Sequence, residues 1–237
     1  MSKVLCVIAA RAGSKGVPKK NLRLLGSKPL VWHAFKKALA AKRIDKVVCS
    51  TDSEEVAQIA REAGVEVPFM RPLELSGDRV ALIDVTKHMM LEMDKRGFRS
   101  DIVVQLSPTC PFIKPERLDE SVQLLLDSDA SCAVSLKRVE HEHPYRAKEL
   151  LEGNYFRHFI KDVPVEKFLN RQDLPALYVT NGGIYTRRRE LLEAYQGQDF
   201  AFGKKPRGLI LNEIESINID TPIDFDFAEF LFHKGLS

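Results

Sequence analysis

"KVLCVIAARAGSKGVPKKN", residues 3–21, decides how the rest of the chain is read. Its opening, "KVLCVIA", is a nearly continuous apolar run, as a strand covered on both faces requires. Residues 9–21 then carry two glycines, one proline and four cations (Arg11, Lys15, Lys19, Lys20) before any helical pattern begins. A solvated turn needs only about four residues. This loop is much longer, and it concentrates positive charge over backbone that glycine lets approach a ligand closely. It matches neither G-x-x-x-x-G-K-[ST] nor G-x-G-x-x-G, so neither a P-loop ATPase nor a dinucleotide site is indicated. Spacing alone leaves two readings open, a phosphate cradle and a surface loop with solvated lysines.

Outward from that loop, strand and helix patterns alternate. "PLVWHAFKKALAAKR" (29–43) reads as a helix with proline at its start, Leu30, Ala34 and Leu39 along one side, and cations at its end. "DKVVCST" (45–51) is a second strand. "SEEVAQIAREAG" (53–64) is a helix capped by Ser53 and stopped by Gly64. "VEVPF" (65–69) reads as a short third strand. There follow a helix over 80–97, a strand over 101–107, a helix over 115–127 and a strand over 131–139. This alternation predicts an α/β fold, a mostly parallel doubly wound, Rossmann-like sheet with right-handed crossovers. Between about 140 and 175 the pattern lapses into a polar, proline-punctuated segment, expected to be a small hairpin insertion. "ALYVTNGGIYTRRRELLEAY" (176–195) returns to a strand and a helix. "ESINIDTPIDFDFAEFLF" (215–232) reads as a strand, an Asp-Thr-Pro cap and a last helix. The 237 residues are expected to form one domain carrying that insertion.

Composition removes several classes. A formal net charge of +3 is too small to argue for nucleic acid, and no aromatic residue is interleaved with the cations of the loop. Cys6, Cys49, Cys110 and Cys132 lack C-x-x-C spacing; Cys6 and Cys49 lie in apolar runs and read as small buried hydrophobes. His141 and His143 have no further ligands to complete a metal site. No signal-type segment is seen, and no apolar run approaches the roughly 20 residues of a membrane helix. A cytoplasmic protein without membrane or nucleic-acid partners is expected.

Ligands of open parallel sheets bind beyond the carboxyl ends of the strands. That rule selects residues 10–21, Thr51-Asp52, "SPTCP" (107–111) and the "NID" around Asp220. Residues 8–39, continuing into "VVCSTDSEEVAQIAREAGVEVPFMRPLELSGD" (47–78), resemble the cytidylyltransferases that make CMP-N-acetylneuraminate and related CMP-nonulosonic acids. The likeness runs on through "SPTCP", "RQDLPALYVTNGGIY" (171–185) and "SINIDTPIDFDFAE" (216–229), and so over essentially the whole chain.

The resemblance implies transfer of CMP from CTP to a sialic-acid-like acid, magnesium, and a homodimer formed partly by the insertion. It places CTP on the loop, at Ala10, Arg11, Ala12, Gly13, Ser14, Lys15, Lys20 and Asn21, with Arg71 and Asp78 nearby. Within that set, Lys20 would meet the transition state, and Arg11 and Lys15 the leaving pyrophosphate, where negative charge must be neutralised. Replacement of Lys20 is expected to leave a surface loop folded. Lys19 reads as a solvated lysine. Arg71 and Asp78 have structural alternatives as ion-pair or cap residues, and Asp220 as a cap before Pro222. The implied magnesium ligands are Asp220, a carboxylate suited to a hard cation, and Asn218, which stands where many relatives have a second aspartate. Ser107, Arg146, Arg171 and Asn181 match acceptor-side positions, an arginine fork suiting a carboxylate; both arginines can also be exposed charges or dimer contacts. Departures cluster on that side. Ser107 replaces a glutamine, Ile113 an arginine, and Val179 the arginine often found before the Asn-Gly pair. A different ulosonic acid, a phosphonate acceptor, or a CTP sensor without turnover therefore stands as the alternative. Cys110 reads as packing rather than nucleophile, and no mid-chain Asp-x-Asp supports a glycosyltransferase.

Overall fold

The computed structural model describes residues 2–13, 16–140, 142–162, 164–197 and 200–236. Strand β1 (Val4–Ala9) is followed by the cationic loop and a tight hairpin of β2 (Leu24–Leu25) and β3 (Lys28–Pro29). Helix α1 (Leu30–Ala40) leads to β4 (Lys46–Ser50), α2 (Glu54–Ala63) and α3 (Leu82–Lys95). Then come β5 (Ile102–Leu106), α4 (Pro115–Leu126) and β6 (Cys132–Arg138). An antiparallel pair, β7 (Lys148–Leu150) and β8 (Phe156–His158), forms the hairpin after β6. The chain closes with β9 (Tyr178–Arg188), α5 (Arg189–Glu193), β10 (Pro206–Ile210) and α6 (Pro222–His233).

The main sheet has the order β10-β6-β9-β5-β1-β4. β1 pairs in parallel with β4 and β5, and β10 with β6, while β9 runs antiparallel to both its neighbours. The architecture is thus α/β and mostly parallel, with one reversed strand inside it. The reversal has a simple cause. The chain leaves β6 at its carboxyl end, makes the hairpin, and re-enters from that same end.

Both faces of the sheet are covered, which explains the unbroken apolar run of β1. Val4, Cys6 and Ile8 pack on one side against Val31, Ala34, Phe35 and Ala38 of α1, Val56 and Ala60 of α2, and Val122 of α4. Leu5 and Val7 face the other side, against Met89, Met90 and Met93 of α3. Burying a side chain the size of Phe35 contributes about 1.5–3 kcal/mol. Leu39, read above with Leu30 and Ala34 along one apolar side of α1, is exposed; Leu30, Val31, Ala34, Phe35 and Ala38 are the buried set.

Two short strands differ from expectation. Residues 65–69 make only one parallel bridge, Glu66 to Val48, because Pro68 ends the pairing. Residues 215–220 form a turn and an extended segment held by Ile219 N–H donating to Thr109 O at 2.9 Å, with no ladder. The sixth sheet strand is instead β10, whose "PRGLI" buries only Leu209. An edge strand needs so little apolar surface that periodicity does not reveal it. The caps read from sequence are present: Ser53 Oγ accepts from Val56 N–H, Gly64 is left-handed, and Thr221 and Asp224 form a capping box.

Candidate functional site

From β1 the chain goes out through α1 to β4, then returns through α3 to β5 on the far side of β1. This reversal opens a crevice at the carboxyl ends of β1 and β5, the position where open α/β sheets bind ligands. The cationic loop and the "SPTCP" loop flank it.

The loop is anchored at both ends. Ala10 N–H donates to Ser50 O at 3.0 Å, and Ala12 N–H to Asp52 Oδ1 at 2.8 Å. Arg11 Nη1 meets Asp78 Oδ1 at 2.6 Å. Farther on, Val17 is buried with Leu25, Phe112, Ile219 and Phe225 in a third apolar cluster, so the distal half of the loop sits on α6. Gly16 lies so close to the 218–220 segment that a Cβ there would come 2.0 Å from Asp220 O. Lys19 is left-handed at φ 50°, and the turn Lys20–Leu22 follows it. Asn21 Nδ2 donates back to Arg11 O at 3.1 Å. Ala10, Arg11, Ala12, Gly13, Lys20 and Asn21 therefore share one loop wall, whereas Ser14 and Lys15 lie outside the described residues.

Lys20 is no free surface cation. Its side chain is 11% exposed, and Nζ donates to Ile219 O at 2.5 Å and lies 3.2 Å from Asp220 Oδ1. Asp220 Oδ2 accepts from Asn218 Nδ2 at 2.9 Å, and Asn218 Oδ1 is buried without a hydrogen-bond partner. Arg71 is buried beneath the loop. Its Nε donates to Ser50 Oγ at 3.0 Å and its Nη2 to Ser50 O. Burial pushes the Arg71 guanidinium below its ordinary value, the nearby Asp52 carboxylate acting in the opposite sense; arginine stays charged regardless. Arg11, Lys20 and Arg71 thus bring cations to one crevice, with Asp78, Asp220 and Asp52 as internal counterions.

On the opposite wall, β9 bulges away from β6 between Thr180 and Tyr185, and this places Asn181 over the sheet end. Asn181 Oδ1 accepts from Ser135 Oγ at 2.5 Å and from Gly183 N–H at 3.2 Å, so much of its amide orders the bulge itself. Ser107 supports the same bulge: its N–H donates to Gly183 O at 2.9 Å, and its Oγ pairs with Thr109 Oγ1 at 2.8 Å. Ile113 is buried and packs where a Cβ on Gly183 would lie. Burial pushes the Cys110 thiol up to about 12, consistent with packing. A cavity of about 420 Å³ lies here, lined by Asn181, Asn218 and Asp220 together with Lys137, Glu213 and Phe227.

Arg146 and Arg171 are not brought to that cavity within this chain. Arg171 lines a separate cavity of about 370 Å³ with Arg138 and His143, 3.7 Å from Glu140. Arg146 lines a third with Tyr145 and Phe168, its Nη2 donating to Leu169 O at 3.4 Å. The strand-end rule selects Asp52 without giving it a role, and the structure shows it holding Ala12 N–H. Sequence reasoning passed over two residues that the fold brings to the cavity, Lys137 and Glu213, which carry no local motif at all.

Comparisons agree with this geometry. A family model described as cytidylyltransferase matches residues 5–234. The chain is 32% identical to CMP-N,N'-diacetyllegionaminic acid synthase of Legionella pneumophila, over 97% of this chain and 96% of that one. It is 32% identical to N-acylneuraminate cytidylyltransferase of Streptococcus agalactiae serotype V, over 94% of this chain and 52% of that longer protein. Among solved structures, CMP:2-keto-3-deoxy-manno-octonic acid synthetase complexed with CTP shares the fold, with a TM-score of 0.73 at 20% identity over 99% of this chain and 100% of that one. A crevice lined by an anchored cationic loop at the β1/β5 reversal, matched over nearly the full length by these relatives, places the chain in the cytidylyltransferase family.

Proposed function

We propose that this cytidylyltransferase transfers CMP from CTP to a nonulosonic, sialic-acid-like acid and releases pyrophosphate. The observation that carries the reading is the convergence of Arg11, Lys20 and the loop backbone on the β1/β5 crevice, with Lys20 against Asp220. An acceptor hydroxyl oxygen forms the new bond to the α-phosphorus, the bond from that phosphorus to the bridging oxygen breaks, and the hydroxyl proton passes to solvent. Arg11 and Lys20, with Ser14 and Lys15, neutralise the charge that grows on the transferred and leaving groups. Arg71 and Asp52 hold the loop rather than the reacting atoms. Asn21 and Asp78 fix the conformation of Arg11 from its two ends, and CTP lies along Ala10, Ala12 and Gly13.

The residues present fit a magnesium ion. A carboxylate beside a buried, unpartnered amide oxygen offers a hard cation two oxygen ligands, and binding would satisfy Asn218 Oδ1. The described residues hold no group of three His, Cys, Asp or Glu, so CTP oxygens and water complete the shell in this reading. When bound, the metal supplies charge neutralisation on the phosphates. Asp220→Asn is expected to raise the magnesium concentration for half-maximal turnover by about tenfold or more, a loss typical of disturbed metal sites. An unchanged metal titration would move the ligand elsewhere.

The acceptor wall favours an acid other than the commonest sialate, because Ile113 is core and Val179 brings no charge. The insertion exposes Leu150, Tyr155, Phe156, Phe159 and Leu169, more apolar surface than a monomer usually presents in one segment. A second copy covering it makes the enzyme a homodimer, and light scattering at micromolar protein is expected to give twice the chain mass; a monomer there would remove the dimer. No helix among the described residues is long and apolar enough to cross a membrane; a cytoplasmic reaction, drawing on the CTP there, is part of this proposal. The reading is tested by magnesium-dependent pyrophosphate release, with each nucleoside triphosphate against sialic, legionaminic and pseudaminic acids and phosphonates. Release with CTP and one acid is expected. CTP binding without release from any acceptor would instead make the chain a sensor.

A further inference from the structure

We propose that Lys137 is the residue that receives the acceptor's carboxylate, and that it sets selectivity for acidic acceptors. The inference rests on the CMP-transfer reading above and adds a residue that neither the loop nor the resemblance supplied. Lys137 is at the carboxyl end of β6, and its register partner on β9 is the uncharged Val179, two residues before Asn181. Directly opposed residues in an antiparallel pair project from the same face of the sheet, with Cβ atoms about 5 Å apart. Lys137 thus supplies the one charge of that register pair, on a face where Val179 brings none.

Three further facts agree. Lys137 lines the 420 Å³ cavity that also contains Asp220 and Asn181. The other charged groups on its wall are Glu213, Asp220 and Asp224, all acids. Asp220 is paired with Lys20 and Asp224 is committed to the cap of α6. Lys137 forms no ion pair among the described residues, so its ammonium is available to an incoming anion. Phe227 offers an exposed ring on the same wall, suited to an apolar substituent such as an N-acyl methyl, and Glu213 accepts from a hydroxyl or amide N–H of the sugar acid.

The test compares wild type, Lys137→Gln and Lys137→Arg on one accepted sugar acid and on its methyl ester. Pyrophosphate release and calorimetric binding with a non-hydrolysable CTP analogue are both read. Lys137 is exposed, so the glutamine variant is expected to keep the wild-type melting temperature. Expected is a rise in acceptor KM and Kd of about 10- to 100-fold for Lys137→Gln, the range of a hydrogen bond to a charged group, with CTP KM within about twofold. Lys137→Arg recovers most of the loss. The wild type discriminates acid from ester by a similar factor, and the glutamine variant does not. Unchanged acceptor KM in Lys137→Gln, or undiminished discrimination against the ester, overturns the assignment while CMP transfer stands. Acid binding that depends on Lys137 without any pyrophosphate release overturns CMP transfer and keeps the site. Neither binding nor release of any acid in wild type overturns both.

Discussion

Lys20→Ala is expected to lower the rate of pyrophosphate release by about 10²–10³-fold, the cost of losing one preorganised donor at a developing oxyanion. CTP KM should change far less, because the contact strengthens as charge develops. The structure adds a requirement absent from the sequence reading, which took this loop as pure surface. Lys20 Nζ is the donor for Ile219 O, so its removal leaves that carbonyl with a lost partner, worth about 1–3 kcal/mol. The rate must therefore be measured on protein shown to be folded at the assay temperature. Near-normal turnover in that folded variant would take Lys20 out of the catalytic assignment.

Arg189→Ala is expected to cost about 3 kcal/mol of stability and to leave the site untouched. The Arg189 side chain is 5% exposed, pairs with Asp94 and Glu193, and donates to Ser100 O at 3.2 Å. Its removal strips Asp94 of its partner at the junction of α3, α5 and the start of β5. Hydrogen bonding to Asp94 holds the guanidinium above its ordinary value, so Arg189 stays charged into strongly alkaline pH. The expected fall in Tm is roughly 6–12 °C for a chain of this size. CTP affinity should be unchanged below the transition, since β9 runs antiparallel and its carboxyl end lies beside the amino ends of β5 and β6, at the opposite end of the strands from the crevice. Loss of CTP binding by the folded variant, or an unmoved Tm, would contradict this separation.

These two residues mark the limit of what could be read from the chain. The loop that carries Lys20 is marked in the sequence by its length, glycine and charge, and the resemblance singles Lys20 out within it. Arg189 is one of three successive arginines in "TRRRE"; Arg187 and Arg189 are buried, and nothing local distinguishes them from Arg188. The helices α2 and α6 were legible to within a residue because Ser53, Gly64 and Thr221 act on the backbone beside them. β10 was not, since an edge strand is defined by its neighbour β6 rather than by its own pattern.

The sequence by itself determined the alternation of buried strand and capped helix, the placement of the cationic loop, and the likeness to cytidylyltransferases. Each depends on residues within a turn or two of one another, or on a motif order that survives without coordinates. Only the tertiary structure decided the reversed direction of β9, the pairing of Lys20 with Asp220 across 200 residues, and the presence of Lys137 opposite Val179. Strand direction and register follow from where the chain re-enters the sheet. A contact between loops follows from which strand ends the topology brings together, and neither leaves a local trace in the sequence.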